Sequence, residues 1–84
     1  MKTFTKDEIK ILKEFGFTVE PNHARRVRED VIEIINVGDT YCTTIEVRQV
    51  LTSKMSSSLG EAMSNIDMLR DQIRKELKQL LQQL

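Results

Sequence analysis

The stretch that decides the fold runs from residue 31 to residue 47 and reads VIEIINVGDTYCTTIEV. Its first seven residues are rich in β-branched side chains, which favour strands. Gly38 and Asp39 could then turn the chain back into a second strand over residues 41–47. One interpretation is therefore an α+β fold in which a hairpin over residues 31–47 is flanked by helices.

The residues just before this stretch favour the other interpretation, a helix over residues 23–36. A proline stops the preceding element, and the asparagine after it can cap the next one. Arg25 and Arg26 lie four positions before Glu29 and Asp30, a spacing that pairs opposite charges on a helix. We therefore predict a mainly α fold and keep the α+β hairpin as the alternative.

Three capping boxes indicate where helices begin, because each places a serine or threonine three residues before a glutamate. Gly16 stands where a residue in the left-handed conformation would end the first helix. The boxes are Thr5 with Glu8, Thr43 with Glu46 and Ser58 with Glu61, and they predict helices over residues 6–15, 44–52 and 59–84.

The predicted C-terminal helix has an apolar stripe with heptad spacing, interrupted by Arg70. At 1.5 Å per residue it extends roughly 39 Å, whereas a domain of this length is only about 30 Å across. We expect its end to project and to pair with a second copy as a coiled coil; the alternative is that the stripe folds back on helix 6–15. The predicted oligomer interface comprises Ile66, Ile73, Leu77, Leu80, Leu81 and Leu84.

The 84 residues form one domain, predicted as a globular body (1–58) followed by the C-terminal helix (59–84). Thirteen basic and thirteen acidic residues cancel, which argues against an extended nucleic-acid surface but leaves room for a small one. No apolar run is long enough to span a membrane, and the first residues lack the apolar core of a signal peptide. With one free cysteine, these features predict a cytoplasmic protein that does not engage membranes.

The chain offers little material for catalysis or for a metal site. Cys42 and His23 are its one cysteine and one histidine, whereas a structural zinc site takes four ligands. His23 lies in a charged segment, and Cys42 is expected to be a small, partly buried residue. We therefore predict no enzyme activity and no cofactor.

The arrangement of elements over about residues 31–74 resembles the helix-turn-helix core of bacterial and phage transcription regulators, including winged-helix ones. In that resemblance Thr43 and Glu46 begin the first helix of the motif, and Leu59, Met63 and Ile66 anchor the recognition helix. The resemblance implies a DNA-binding regulator of transcription.

If the resemblance holds, DNA contacts come from the start of the recognition helix, which presents its first residues to base edges, with arginines as phosphate contacts. The predicted function is a dimeric DNA-binding regulator. The alternative is a non-enzymatic protein–protein interaction module, such as a phage- or mobile-element-encoded inhibitor or adaptor, that acts through the leucine-rich helix. The predicted DNA-binding residues are Lys54, Ser57, Ser58, Ser64, Asn65, Arg25 and Arg26.

Overall fold

The computed structural model describes residues 2–82 and shows an α+β fold built on a five-stranded antiparallel sheet. The strands lie side by side in chain order, so each strand pairs with the next one along the chain. One helix precedes the sheet and a longer one follows it. The elements are helix α1 (Lys6–Glu14), strands β1 (Thr18–Val19), β2 (His23–Arg28), β3 (Val31–Val37), β4 (Tyr41–Val47) and β5 (Val50–Ser56), and helix α2 (Leu59–Gln82).

The mainly α prediction is wrong, and the helix-turn-helix is wrong with it. Residues 44–52, predicted as the first helix of the motif, form most of β4, a turn and the start of β5. Tyr41, Thr43 and Ile45 are buried and alternate with half-buried neighbours, which is the two-residue period of a strand. The Thr43 hydroxyl caps no helix; it donates a hydrogen bond to the Ala62 carbonyl at 2.8 Å.

The predicted helix over residues 23–36 is also wrong, because this segment forms β2 and β3. The two strands are joined by Glu29 and Asp30, whose φ angles of 53° and 64° are left-handed. Two such residues form the type I′ turn, whose twist matches that of the strands it connects. The hairpin of the alternative interpretation is present as β3 and β4, but strands flank it where helices were expected.

The predicted starts of both helices are confirmed, and α1 ends one residue earlier than predicted. The predicted end of the second helix, at residue 84, lies outside the described residues. Thr5 and Glu8 exchange backbone-to-side-chain hydrogen bonds of 2.9 and 3.1 Å. Gly16 has φ of 90°, and the Phe17 amide donates to the Leu12 carbonyl at 3.0 Å, which closes a Schellman motif. At the start of α2 the Glu61 amide donates to the Ser58 hydroxyl at 3.2 Å.

Helix α2 packs across one face of the sheet, mainly over β4 and β5, and we call this the inner face. Ile66, Leu69 and Ile73 are each 2% exposed, and Ile35 and Ile45 of the sheet are fully buried with them. The coiled-coil prediction is therefore wrong, since much of the stripe is buried against the chain's own sheet. The other face of the sheet, the outer face, is not covered by either helix of the described chain.

No helix within residues 2–82 combines the length and apolar character needed to cross a membrane.

Candidate functional site

The residues predicted to contact DNA do not form one surface. Arg25 and Arg26 are neighbours in a strand, so their side chains leave opposite faces of the sheet. Asn65 is only 6% exposed. Lys54 extends over the inner face, where its ammonium lies 3.4 Å from the sulfur of Met68.

Of the three serines predicted to contact DNA, two stabilise the start of α2 and the third lies elsewhere on that helix. The Ser57 amide and hydroxyl both donate to the Glu61 carboxylate at 3.3 Å, and Ser58 caps α2, so both serve the start of the helix. Ser64 is exposed on α2 and lines a cleft beside Arg26.

The predicted oligomer residues divide into two groups. Ile66 and Ile73 belong to the core of the chain itself. Leu77 is half-buried, whereas Leu80 and Leu81 are 54% and 66% exposed. Leu84 lies outside the described residues. The accessible part of the predicted interface is therefore the end of α2 after Ile73.

A buried ion cluster fixes the middle of α2 to the sheet. Glu33 is fully buried on the inner face and accepts hydrogen bonds from three arginines. Arg26 Nε lies 2.5 Å from its carboxylate, Arg28 Nη2 2.8 Å and Arg70 Nη1 3.0 Å. Arg70 comes from α2 and also pairs with Glu29 at 3.0 Å. The cluster thus links the helix to β3 through Glu33 and to the β2–β3 turn through Glu29.

The charges of the cluster determine its ionisation. Burial alone raises the pKa of the Glu33 carboxyl, but hydrogen bonds from Arg28 and Arg26 outweigh that effect and hold the pKa below its usual value of 4.5. The same hydrogen bond raises the pKa of Arg28. Both groups therefore stay charged at neutral pH.

Arg26 is held in place by several groups of the chain itself. Its guanidinium lies over the ring of Phe17, 4.4 Å from the centroid, and donates to the Phe15 carbonyl at 2.6 Å in addition to Glu33. A cleft of about 340 Å³ lies beside it, lined also by Arg28 and Asp67. Since its arginines are already held by Glu33, the cluster is a structural clamp.

An accessible concave surface with an apolar lining lies at the projecting end of α2. There Leu77 and Leu81 face Val47 across a cavity of about 420 Å³, which continues inward as a smaller one of about 180 Å³ beneath Arg70. Arg48, in the turn between β4 and β5, closes one side. We call this the α2-end groove; among residues 2–82 it is lined by Glu29, Asp30, Val31, Val47, Arg48, Arg70, Ile73, Arg74, Leu77, Lys78 and Leu81.

The α2-end groove is positively charged although the whole chain is neutral. Four basic and two acidic residues line it, a net charge of +2. One of the acids, Glu29, is already paired with Arg70. An apolar floor with a cationic rim suits an amphipathic anionic partner, because the floor buries apolar surface while the rim selects charge.

Sequence reasoning identified Leu77 and Leu81 but missed Val47, Arg48 and the Glu33 cluster. The signal for the cluster was present in two places. Glu33 interrupts an apolar strand, and Arg70 interrupts the apolar stripe of α2. Each is a charged residue at a position where the pattern predicts a buried apolar one. A buried charge requires a partner of opposite charge.

The chain's one histidine and one cysteine lie on the outer face, apart from the groove. His23 Nδ1 is 2.7 Å from the Asn36 side-chain oxygen, and Cys42 is a half-buried free thiol. Within the part of the chain that the structure describes, no group of three or more potential ligands could hold a metal ion.

Fold and groove together define a small α+β protein with a meander sheet, one covering helix and a cationic, apolar-floored groove at that helix's end. Comparisons with protein-family models, curated proteins and solved structures found no match.

Proposed function

We propose that this protein is a non-enzymatic, cytoplasmic protein-binding module that holds an acidic, amphipathic helix of a partner in the α2-end groove. The observation that carries the proposal is the unpaired end of α2. Ile73 is the last buried residue of the described helix. Among the nine residues after it, Leu77 is half-buried and Leu80 and Leu81 are exposed. An exposed apolar stripe next to a concave apolar surface is typical of an interaction site.

Helix-in-groove binding fits this surface, because an amphipathic helix lays side chains at i, i+3, i+4 and i+7 into such a groove. The charge of α2 decides between partners. Residues 74–82 contain Arg74, Lys75 and Lys78 against Glu76, so two copies of this segment would bring like charges together. A partner of different sequence with a negative rim is therefore favoured over a second copy at this site.

The prediction of DNA binding rested on a helix-turn-helix, and the residues predicted as the first helix of that motif form strands. The cationic rim would still attract a polyanion weakly. Binding of DNA is therefore measured separately in the experiment below.

The test uses a fluorescein-labelled peptide of roughly five helical turns, with leucine at helical spacing and glutamate elsewhere. A control peptide carries lysine in place of every glutamate. We expect anisotropy titration to show binding of the acidic peptide at roughly tens of micromolar and no binding of the lysine peptide. Leu77→Asp and Leu81→Asp should each weaken binding at least about tenfold, whereas Leu51→Asp, at a similarly exposed leucine on the outer face, should not.

Equal binding of both peptides, or no effect of the groove substitutions, would overturn the proposal. A labelled mixed-sequence DNA duplex forms the other arm. If the duplex binds and the acidic peptide does not, and if affinity falls steeply with salt as counterion release requires, DNA binding replaces protein binding as the account.

A further inference from the structure

Strand β5 forms an open edge of the sheet, which we call the β5 edge. No strand lies beyond it among residues 2–82. A seven-residue edge without proline offers unpaired amides and carbonyls to another strand. Leu51 and Met55, both in this strand, are 61% and 62% exposed.

The turn between β4 and β5 shows which backbone groups point outward. Val47 pairs with Val50 across the two-residue turn, so this closing pair exchanges hydrogen bonds. Because hydrogen-bonded and non-hydrogen-bonded pairs alternate along an antiparallel ladder, the amides and carbonyls of Leu51, Ser53 and Met55 point away from β4. The β5 edge therefore presents three residues with both backbone groups free to pair with a further strand.

The exposed apolar residues of the strand, Leu51 and Met55, lie symmetrically about its central residue, Ser53. We propose that a second copy of this chain pairs with this strand, β5 antiparallel to β5. With Ser53 on the two-fold axis, all seven residues overlap and the three outward residues of each copy form six hydrogen bonds. Leu51 of one copy then lies opposite Met55 of the other on the outer face, where both bury exposed apolar surface. Lys54 lies opposite Thr52, so the two Lys54 side chains are diagonal neighbours and not directly opposite each other.

The inner face supports the same pairing. Met68 of α2 is 50% exposed and lies at the β5 edge, beside Lys54. Helix α2 lies over β4 and β5, so at a strand spacing of about 4.8 Å the two helix axes would be roughly 10–14 Å apart. That separation lets the two Met68 side chains meet across the axis. Two copies would thus form one ten-stranded sheet, with the α2-end grooves left open.

Sedimentation velocity should show a monomer–dimer equilibrium with Kd of roughly 1–100 µM, since a strand-edge contact lies at the small end of specific interfaces. Ser53→Pro should abolish the dimer and leave the fold intact, because it removes an outward amide on an edge strand, where proline is tolerated. Leu51→Glu and Met55→Lys should each weaken it at least about tenfold, and the double variant should restore it, because the new carboxylate faces the new ammonium of the other copy.

The register of the β5–β5 pairing is tested by cross-linking in a Cys42→Ser background, which removes the native thiol. Ser53→Cys should form an intermolecular disulfide, since Cα atoms of a hydrogen-bonded pair lie about 5.5 Å apart, within the disulfide range. Thr52→Cys, one residue away and offset from its own copy, should not. Any of three results would overturn the proposal. They are a wild-type monomer at about 1 mM, a dimer that survives Ser53→Pro but dissociates with Leu77→Asp and Leu81→Asp, and equal cross-linking of both cysteine variants. Peptide binding in the groove is tested separately by the anisotropy titration, so failure of the dimer and failure of the groove proposal can be told apart.

Discussion

The Glu33 cluster predicts that a single charge removed from the core destabilises the protein severely. Glu33→Gln keeps nearly the same shape but leaves three guanidinium groups around a neutral amide. Arg26 and Arg70 have side chains only 12% and 11% exposed, so their charges cannot turn fully to water. Removing one partner from a buried ion pair costs about 3–5 kcal/mol, and we expect this range here.

That cost is large for a chain of this size. At roughly 0.05–0.15 kcal/mol per residue, the free energy of unfolding of 84 residues is about 4–13 kcal/mol. Urea is the suitable denaturant because it is uncharged and does not screen the cluster. With an m value of about 1.2 kcal/mol/M, the urea midpoint should fall by about 2.5–4 M at pH 7.

The matched control is Glu46→Gln, which removes a half-buried glutamate from the outer face of β4, the strand next to Glu33. Its cost should stay within about 0.5 kcal/mol, as for surface substitutions in general. If Glu33→Gln leaves no folded baseline, Arg28→Met tests the same cluster with a smaller loss, because Arg28 is 45% exposed. A midpoint for Glu33→Gln within about 0.5 M of the control would refute the reasoning that the carboxylate holds the three arginines.

Three further predictions concern pH and the turns. Because the pKa of Glu33 in the folded protein is lowered from 4.5, its contribution to the free energy of unfolding is complete above pH 4.5 and is lost as pH falls through the folded pKa. The urea midpoint should therefore fall between pH 7 and pH 2, and it should fall less in Glu33→Gln. Hydrogen bonding to Glu8 raises the pKa of Tyr41 above 10.0, so the free energy of unfolding should fall as pH rises above 10. Tyr41→Phe should remove that alkaline loss and should cost about 1–2 kcal/mol at pH 7. An equal alkaline loss in the wild type and in Tyr41→Phe would contradict this prediction. Gln49 has φ of 70°, so Gln49→Gly should stabilise the protein by about 0.5–1 kcal/mol, and an unchanged or lower thermal midpoint in calorimetry would count against left-handed strain at this turn.

The helix ends were predictable because their signals are local. A capping box joins residues three apart, and the glycine that ends α1 acts through its own backbone angle. These interactions form within one turn of chain, whatever the tertiary structure. The same locality explains the error at Thr43 and Glu46, where the residue types of a capping box lie on opposite faces of a strand.

The sheet was not predictable because its two tight turns lack the usual residues. Type I′ turns favour asparagine and glycine, but here they are Glu29 with Asp30 and Arg48 with Gln49. Without a turn signal, the charged residues 25–30 resembled a solvated helix. The cross-strand pairing of Arg26 with Glu33 depends on that turn, so the error in the turn concealed the buried cluster as well.

The predicted projection of the C-terminal helix and its apolar stripe led to part of the candidate site. The stripe alone could not show that Ile66 and Ile73 are covered by the sheet while Leu77 and Leu81 remain accessible. That division depends on the length of the strands, because seven-residue strands end before a 24-residue helix does. The rest of the groove, Val47 and Arg48, comes from a turn whose position the sequence did not reveal.

The position of Arg70 connects the clamp with the groove. Arg70 is bound to Glu33 and Glu29 less than one turn before Ile73, the last buried residue of the described helix. Beyond that point, side chains that remain exposed hold α2 only weakly, so the direction of its end is set by the clamp. The same arginine lines the inner part of the groove. A buried cluster that contributes mainly geometry would explain why a chain this small keeps four charged side chains, Glu33 and its three arginines, where apolar residues would pack as well.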